Sequence, residues 1–157
     1  MKTLLSLIII FSLWSCQSSA QQEEKDYEIT KTDTEWKAEL SPMEYQVLRK
    51  AATERPFTSE LLDIKTPGTF VCAACGNPLY ETQYKFESGS GWPSFDRAIE
   101  GSLAYSSDRK LGYKRDELLC GKCGGHLGHV FNDGPRETTG KRHCINGVAL
   151  DFKPKTQ

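Results

Sequence analysis

Six cysteines and three histidines carry most of the chemistry this chain can offer. Four of the cysteines form two Cys-x-x-Cys pairs, Cys72/Cys75 and Cys120/Cys123, each followed by glycine (Gly76; Gly124-Gly125). A tight turn at each pair would present two thiolates, and glycine permits backbone conformations that such a turn needs. Two turns of this kind supply four sulfurs to one tetrahedral Zn²⁺. The long separation between the pairs implies a site that joins distant parts of the chain. Disulfides are the competing reading wherever a chain meets oxidising conditions. They account less well for the doubled spacing, and a redox Cys-x-x-Cys belongs at a helix start in a βαβ setting that this sequence lacks. The expectation is one structural zinc per chain, held by Cys72, Cys75, Cys120 and Cys123.

Cys16 closes a targeting segment. Met1 to Ser15 opens with the cation Lys2 and runs apolar from Leu4 to Leu13. That run is too short for a bilayer, which needs about 20 apolar residues, and it fits the core of a secretory signal peptide. Leu13-Trp14-Ser15-Cys16 resembles a bacterial lipoprotein cleavage box, which makes Cys16 the lipidated first residue of the mature protein. A plain signal cut near Ala20 is the simpler alternative. Gln17 to Lys25 is polar, as a tether would be, and lipid on Cys16 would hold the domain to a membrane without spanning it. The expected location is the bacterial cell envelope, on the periplasmic side of a membrane.

Cys144 is then left without a structural task. Most lone cysteines are inert buried thiols. This one follows Arg142 and His143, both of which could favour a thiolate, so a nucleophile is the preferred reading. His126 and His129 lie just upstream and can exchange a proton near neutral pH.

The elements that must position these groups are mainly β. Thr34 to Leu40 starts a helix weakly. Ser41-Pro42-Met43-Glu44 is a capping box with proline at the first helical position, predicting a helix to about Ala52. Thr69 to Val71, Leu103 to Tyr105, Glu117 to Leu119, His129 to Phe131 and Ile145 to Phe152 read as strands. Ser88-Gly89-Ser90-Gly91-Trp92-Pro93-Ser94 is a loop in which Trp92 is either a core anchor or the wall of a binding site. The expected fold is mainly antiparallel β and barrel-like, with short N-terminal helices. The organisation is a signal peptide over 1–15, a tether over 16–33, one domain over 34–153 and a tail over 154–157. Charged residues make up 26% and the formal net charge is −1, so the chain is globular and lacks the basic excess that nucleic acid requires. A monomer is expected.

The segments Gly89 to Phe95, Cys120 to Cys123, His126 to Pro135 and Arg142 to Asn146 together resemble the B-type methionine-R-sulfoxide reductases, over roughly Thr34 to Phe152. The resemblance implies a barrel-like β domain with a structural zinc. It implies that Cys144 attacks the sulfoxide sulfur of oxidised methionine in proteins and becomes a sulfenic acid. His126 and His129 would orient the substrate and supply a proton. Asn146 and Asp133 would hold that network, and Arg142 would favour the thiolate. Trp92, and less directly Phe131, would enclose the substrate methyl group and so select one epimer. Many members carry a resolving cysteine in the Gly-rich loop, where this chain has Ser90. A one-cysteine cycle follows, with the sulfenate reduced by a thioredoxin-like protein or a small thiol. The alternative function is a membrane-tethered zinc-ribbon binding module, which leaves Cys144 and the histidines unexplained.

Overall fold

The structure is a computed structural model that describes residues 26–156. The targeting segment, the expected cleavage point and Cys16 lie outside the described residues. No helix among the described residues is long and apolar enough to cross a membrane.

Two short helices come first. Helix α1, Asp33–Glu39, begins at Thr32, whose hydroxyl accepts from the Glu35 amide while Glu35 returns a bond to the Thr32 amide. Helix α2, Pro42–Lys50, repeats this with Ser41 and Glu44. Each box satisfies two amides that the first turn would otherwise leave unpaired. The Ser41 box is the one expected; the Thr32 box was missed, so α1 begins earlier than the apolar spacing suggested. Helix α2 stops at Ala51, which takes a left-handed φ of 51°. Its buried face is Tyr45, Val47 and Leu48.

Nine strands follow among the described residues, all paired antiparallel. Strands β1 (Gly68–Cys72), β2 (Pro78–Glu81) and β9 (Leu150–Pro154) form a three-stranded sheet in the order β2-β1-β9. The second sheet has the order β3-β4-β8-β7-β6-β5. Its members are β3 (Lys85–Phe86), β4 (Ser94–Phe95), β5 (Leu103–Asp108), β6 (Arg115–Cys120), β7 (His126–Phe131) and β8 (Arg142–Ile145). The antiparallel β class with short N-terminal helices agrees with the expectation. One strand does not: the run expected from Ile145 to Phe152 breaks into a 3-10 turn at Gly147–Ala149. Its two ends belong to different sheets. Glu54 holds that turn, its carboxylate accepting from the amides of Gly147 and, at 3.0 Å, Val148.

The core is aromatic at its centre. Tyr80 stacks on Phe95 at 4.2 Å between ring centroids, and Phe70 meets Phe95 edge-on at 5.0 Å. Phe95 is fully buried, so Phe95→Ala would cost about 3–5 kcal/mol. On β8 the side chains alternate. His143 and Ile145 are buried, and the His143 Nδ1 lies 3.2 Å from the Tyr80 hydroxyl. Arg142 and Cys144, being half-buried, point the other way.

Candidate active site

The pairing of β6 with β7 slips by one residue, Leu118 facing Gly128 while Leu119 faces His126. In a regular strand residues 126 and 129 would face opposite sides. The bulge puts both imidazoles on one face, 5.3 Å apart and nearly edge-on. The side-chain amide of Asn146 donates to the carbonyl of the bulged Leu127 at 3.0 Å, and its oxygen accepts from the Glu54 amide at 2.9 Å. Both ends of that amide are therefore committed to backbone, and Asn146 acts by holding the bulge. Gly128 is required here: a Cβ would stand 2.0 Å from the Cys144 carbonyl oxygen.

Each histidine is held by a carboxylate. His126 Nδ1 lies 2.6 Å from Glu117 and His129 Nε2 lies 2.6 Å from Asp108. A carboxylate can only accept, so these nitrogens donate. His126 Nε2 is then buried with no hydrogen-bond partner among the described residues, an acceptor awaiting a donor. His129 keeps Nδ1 for a ligand. Burial pushes His129 below the ordinary imidazole value, against the opposing pull of Asp108. Burial would raise Asp108, but its bonds to His129 and Arg115 outweigh that and hold it well below the usual carboxylate range. His126 lowers Glu117.

Cys144 opens into a cavity of about 360 Å³ lined also by Trp92, His129, Phe131, Asn146 and Leu111. Trp92 is fixed by a bond from its Nε1 to the Glu54 carbonyl at 3.2 Å. Like His126, the residues Arg142 and Asp133, also expected here, lie outside that lining. They face each other in a bidentate pair at 2.9 Å, and the Arg142 guanidinium covers the Phe131 ring at 4.6 Å. A larger cleft, about 680 Å³ between Pro67 and Lys155, contains no thiol or imidazole.

The thiol of Cys144 is not ready-ionised. Burial pushes it up; the Ser90 hydroxyl, 3.9 Å away, and Arg142 pull it down without overcoming burial. His143 gives no help. It faces the core, and burial pushes it down to about 4. Of the two neighbours expected to favour a thiolate, only Arg142 reaches the sulfur.

The other four described cysteines converge. Their sulfurs all lie within 4.8 Å of one another, with Cys72 to Cys123 at 3.8 Å and Cys75 to Cys120 at 3.5 Å. A tetrahedral ion with bonds of about 2.3 Å needs sulfurs about 3.8 Å apart. None is in a disulfide, and the set fits a metal ion. Gly76 and Gly124, after the two pairs, have φ of 71° and 67°, the left-handed turn that glycine takes without strain. The cluster ties the end of β1 to the end of β6, and thus one sheet to the other.

Glu117, Asp108, Arg115 and Glu54 were not singled out from sequence. The first three stand on the hairpin beside β7, and a search for acids on strands next to the histidines would have found Glu117.

The family model of the SelR domain matches residues 40–154. The chain is 48% identical over 133 residues to the peptide methionine sulfoxide reductase MsrB of Leifsonia xyli, covering 84% of this chain and 96% of that one. It is 51% identical over 129 residues to the protein of that name from Leptospira interrogans, covering 82% and 98%. With the one from Bradyrhizobium diazoefficiens the identity is 50% over 137 residues, covering 87% and 98%.

Proposed function

The chain belongs to the SelR-domain family, and from that membership we propose that it reduces the R epimer of methionine sulfoxide in proteins, with Cys144 as nucleophile. The observation that carries this reading is Cys144 itself: a lone half-buried thiol opening into a cavity with Trp92 on its wall and His129 on its rim.

The substrate methyl group packs on Trp92, and the sulfoxide oxygen is received beside His129. Cys144 attacks the sulfoxide sulfur as a thiolate, because that is the nucleophilic form. Its high proton affinity in the free protein means that it ionises as the substrate arrives, with Arg142 and Ser90 stabilising the anion. His129 takes the thiol proton on Nδ1 as Cys144 ionises and passes it to the sulfoxide oxygen, which makes that oxygen transferable. Oxygen passes to Cys144, the S–O bond of the substrate breaks, and methionine leaves. Cys144 is then a sulfenic acid. Two external thiols return it to the thiol, yielding a disulfide and water. Asn146 and Glu54 take no part in proton transfer; they fix the bulge under the histidines and the anchor of Trp92.

Cys72, Cys75, Cys120 and Cys123 would hold zinc, a soft-ligand set with no position left open. When bound, the ion crosslinks the two sheets. For location we propose export, with lipid on Cys16 anchoring the domain at the envelope membrane to repair exported proteins. Cys16→Ser should release the protein from membranes; retention would contradict the anchor.

The enzymatic test uses R- and S-methionine sulfoxide, each blocked as a peptide, with dithiothreitol as reductant. Reduction of R alone is the expected result. Reduction of neither, with metal bound, would favour a binding module.

A further inference from the structure

The hairpin of β5 and β6 ends in Arg109-Lys110-Leu111-Gly112-Tyr113-Lys114, a turn closed by the Gly112 amide on the Arg109 carbonyl at 2.9 Å. Asp108 sets where this tip sits. Its carboxylate accepts from the Lys110 amide at 3.1 Å, from the Arg115 guanidinium at 2.9 Å and from His129 Nε2 at 2.6 Å. One carboxylate therefore fixes the tip to the imidazole of the reaction.

The tip borders the substrate cavity. Lys110, Leu111 and Arg115 belong to its lining, and so does Ala51. The Lys110 Nζ donates to the Ala51 carbonyl at 2.9 Å, which joins the hairpin to the end of helix α2. The last carbonyls of a helix have no intrahelical partner and favour a cation.

The positive charge of this edge is unbalanced. Arg115 is matched by Asp108, but Arg109, Lys110 and Lys114 enter no ion pair among the described residues. The cavity lining contains no carboxylate, and the acids nearby are engaged elsewhere. Glu54, next to Thr53 of the lining, receives the amides of Gly147 and Val148. Asp133 faces Arg142, and Glu117 holds His126. Asp116 alternates with Arg115 and Glu117 along β6, so it points to the other face of the sheet.

A methionine sulfoxide side chain is neutral, and the reaction proposed above draws its proton from Cys144 through His129. The unmatched cations have no task in that chemistry. Cations gathered at a cavity edge attract anions, and the anion must belong to whatever carries the sulfoxide into the cavity. Leu111 and Tyr113 stand exposed between the cations, apolar area that a bound peptide would cover.

We propose that the hairpin tip selects oxidised methionines flanked by aspartate or glutamate, with Arg109, Lys110 and Lys114 receiving those acidic side chains of the protein substrate. This rests on the reductase reading given above. An extended chain advances about 3.3 Å per residue, so side chains one or two places from the oxidised methionine stay close to the cavity edge while its sulfoxide is at Cys144. Such contacts are solvated and screened by salt. The preference is therefore one of affinity, expressed in KM.

The experiment compares three blocked peptides that share one R-methionine sulfoxide and carry Asp, Asn or Lys on both sides of it. The full-length, metal-loaded protein reduces them with dithiothreitol. The Asp peptide should exceed the Asn peptide in kcat/KM by about fivefold at low ionic strength, with the Lys peptide last and the gap shrinking as salt is added. The triple variant Arg109→Gln, Lys110→Gln, Lys114→Gln should bring the Asp-to-Asn ratio to about one. The double variant Lys110→Glu, Lys114→Glu should prefer the Lys peptide. Each ratio is taken within one protein, so it does not depend on how much of that protein folds. A parent ratio of one or less, or a ratio that survives in the triple variant, overturns the proposal. Free R-methionine sulfoxide, set against its blocked amide, tests the other source of a carboxylate. If the triple variant loses a preference for the free amino acid while the peptide ratio stays put, the tip reads the α-carboxylate and the peptide reading is overturned. Reduction of all three peptides at one rate overturns the tip alone; reduction of none by the parent overturns the reductase reading, and this one with it.

Discussion

Two regions of the molecule use the same side chain to opposite ends. At the junction of β1 and β6, four thiols lie within 4.8 Å of one another, two of the pairs at 3.5 and 3.8 Å, with no charged side chain needed to explain them. On β8 a single thiol stands apart, with a hydroxyl at 3.9 Å, a guanidinium near it and a cavity in front. Crowded thiols cannot all ionise without a cation, so the first region is placed to hold a metal ion. An isolated thiol raised by burial is stable as the thiol, and becomes reactive only when a substrate alters its surroundings. Neighbours, rather than the cysteine, decide which role is taken.

Breaking the first region should have the largest effect. Cys120→Ser, or metal removal by a chelator, forfeits a binding free energy on the order of 10 kcal/mol. That is comparable with the whole stability of a domain, so circular dichroism and metal content should be lost together. Cys144→Ser should leave both intact while turnover disappears. A Cys144→Ser protein that loses its metal would erase the contrast.

The histidines come next. His129→Gln should lower turnover by roughly 10²–10⁴-fold, the usual yield of a positioned proton donor. Its melting temperature should stay close to that of the parent. An unchanged rate would remove His129 from the reaction.

A smaller effect separates the two faces of β8. The folded pKa of His143 lies at about 4, below the ordinary 6.5. As pH falls from about 6.5 to 4, the unfolded chain takes up a proton that the folded one refuses, so stability is lost across that window. The loss amounts to about 3 kcal/mol at most. The carboxylates held low, such as Asp108, add their own loss from about pH 5 downward, and do so in both proteins. Urea titrations at pH 7, 5 and 4 should show the parent losing more than His143→Gln; equal losses would place the acid sensitivity elsewhere.

The smallest effect concerns Arg142. Alkylation of Cys144 by iodoacetamide should have its pH midpoint above that of an ordinary thiol, because burial dominates. Arg142→Met should move it further up. A midpoint near neutrality would mean that the thiolate is already formed in the free protein.

Much of the site was legible because its parts are marked by residue type. The Cys-x-x-Cys-Gly turns announce both the ligands and the left-handed glycines that shape them. Cys144 emerged by subtraction, and Trp92 by its place in a loop too rich in glycine and serine for a strand. The bulge at Leu127 was not legible, because a one-residue slip in pairing leaves no local mark. Without it, residues 126 and 129 point apart. Glu117 and Asp108 stayed hidden for a related reason: their partners lie across a hairpin whose register a linear reading does not give. The break at Gly147–Ala149 was masked by apolar residues that look like a continuous strand, although the buried Glu54 carboxylate needs those amides.

The most direct test of the two-thiol contrast is the mass of each cysteine after one turnover. The metal-loaded protein is mixed with R-methionine sulfoxide in the absence of reductant, quenched with a thiol-blocking reagent, digested and analysed. The expected result is one added oxygen on Cys144, with Cys72, Cys75, Cys120 and Cys123 unoxidised. A disulfide joining Cys144 to any of those four, or oxygen on one of them instead, would contradict the division between a structural cluster and a solitary nucleophile.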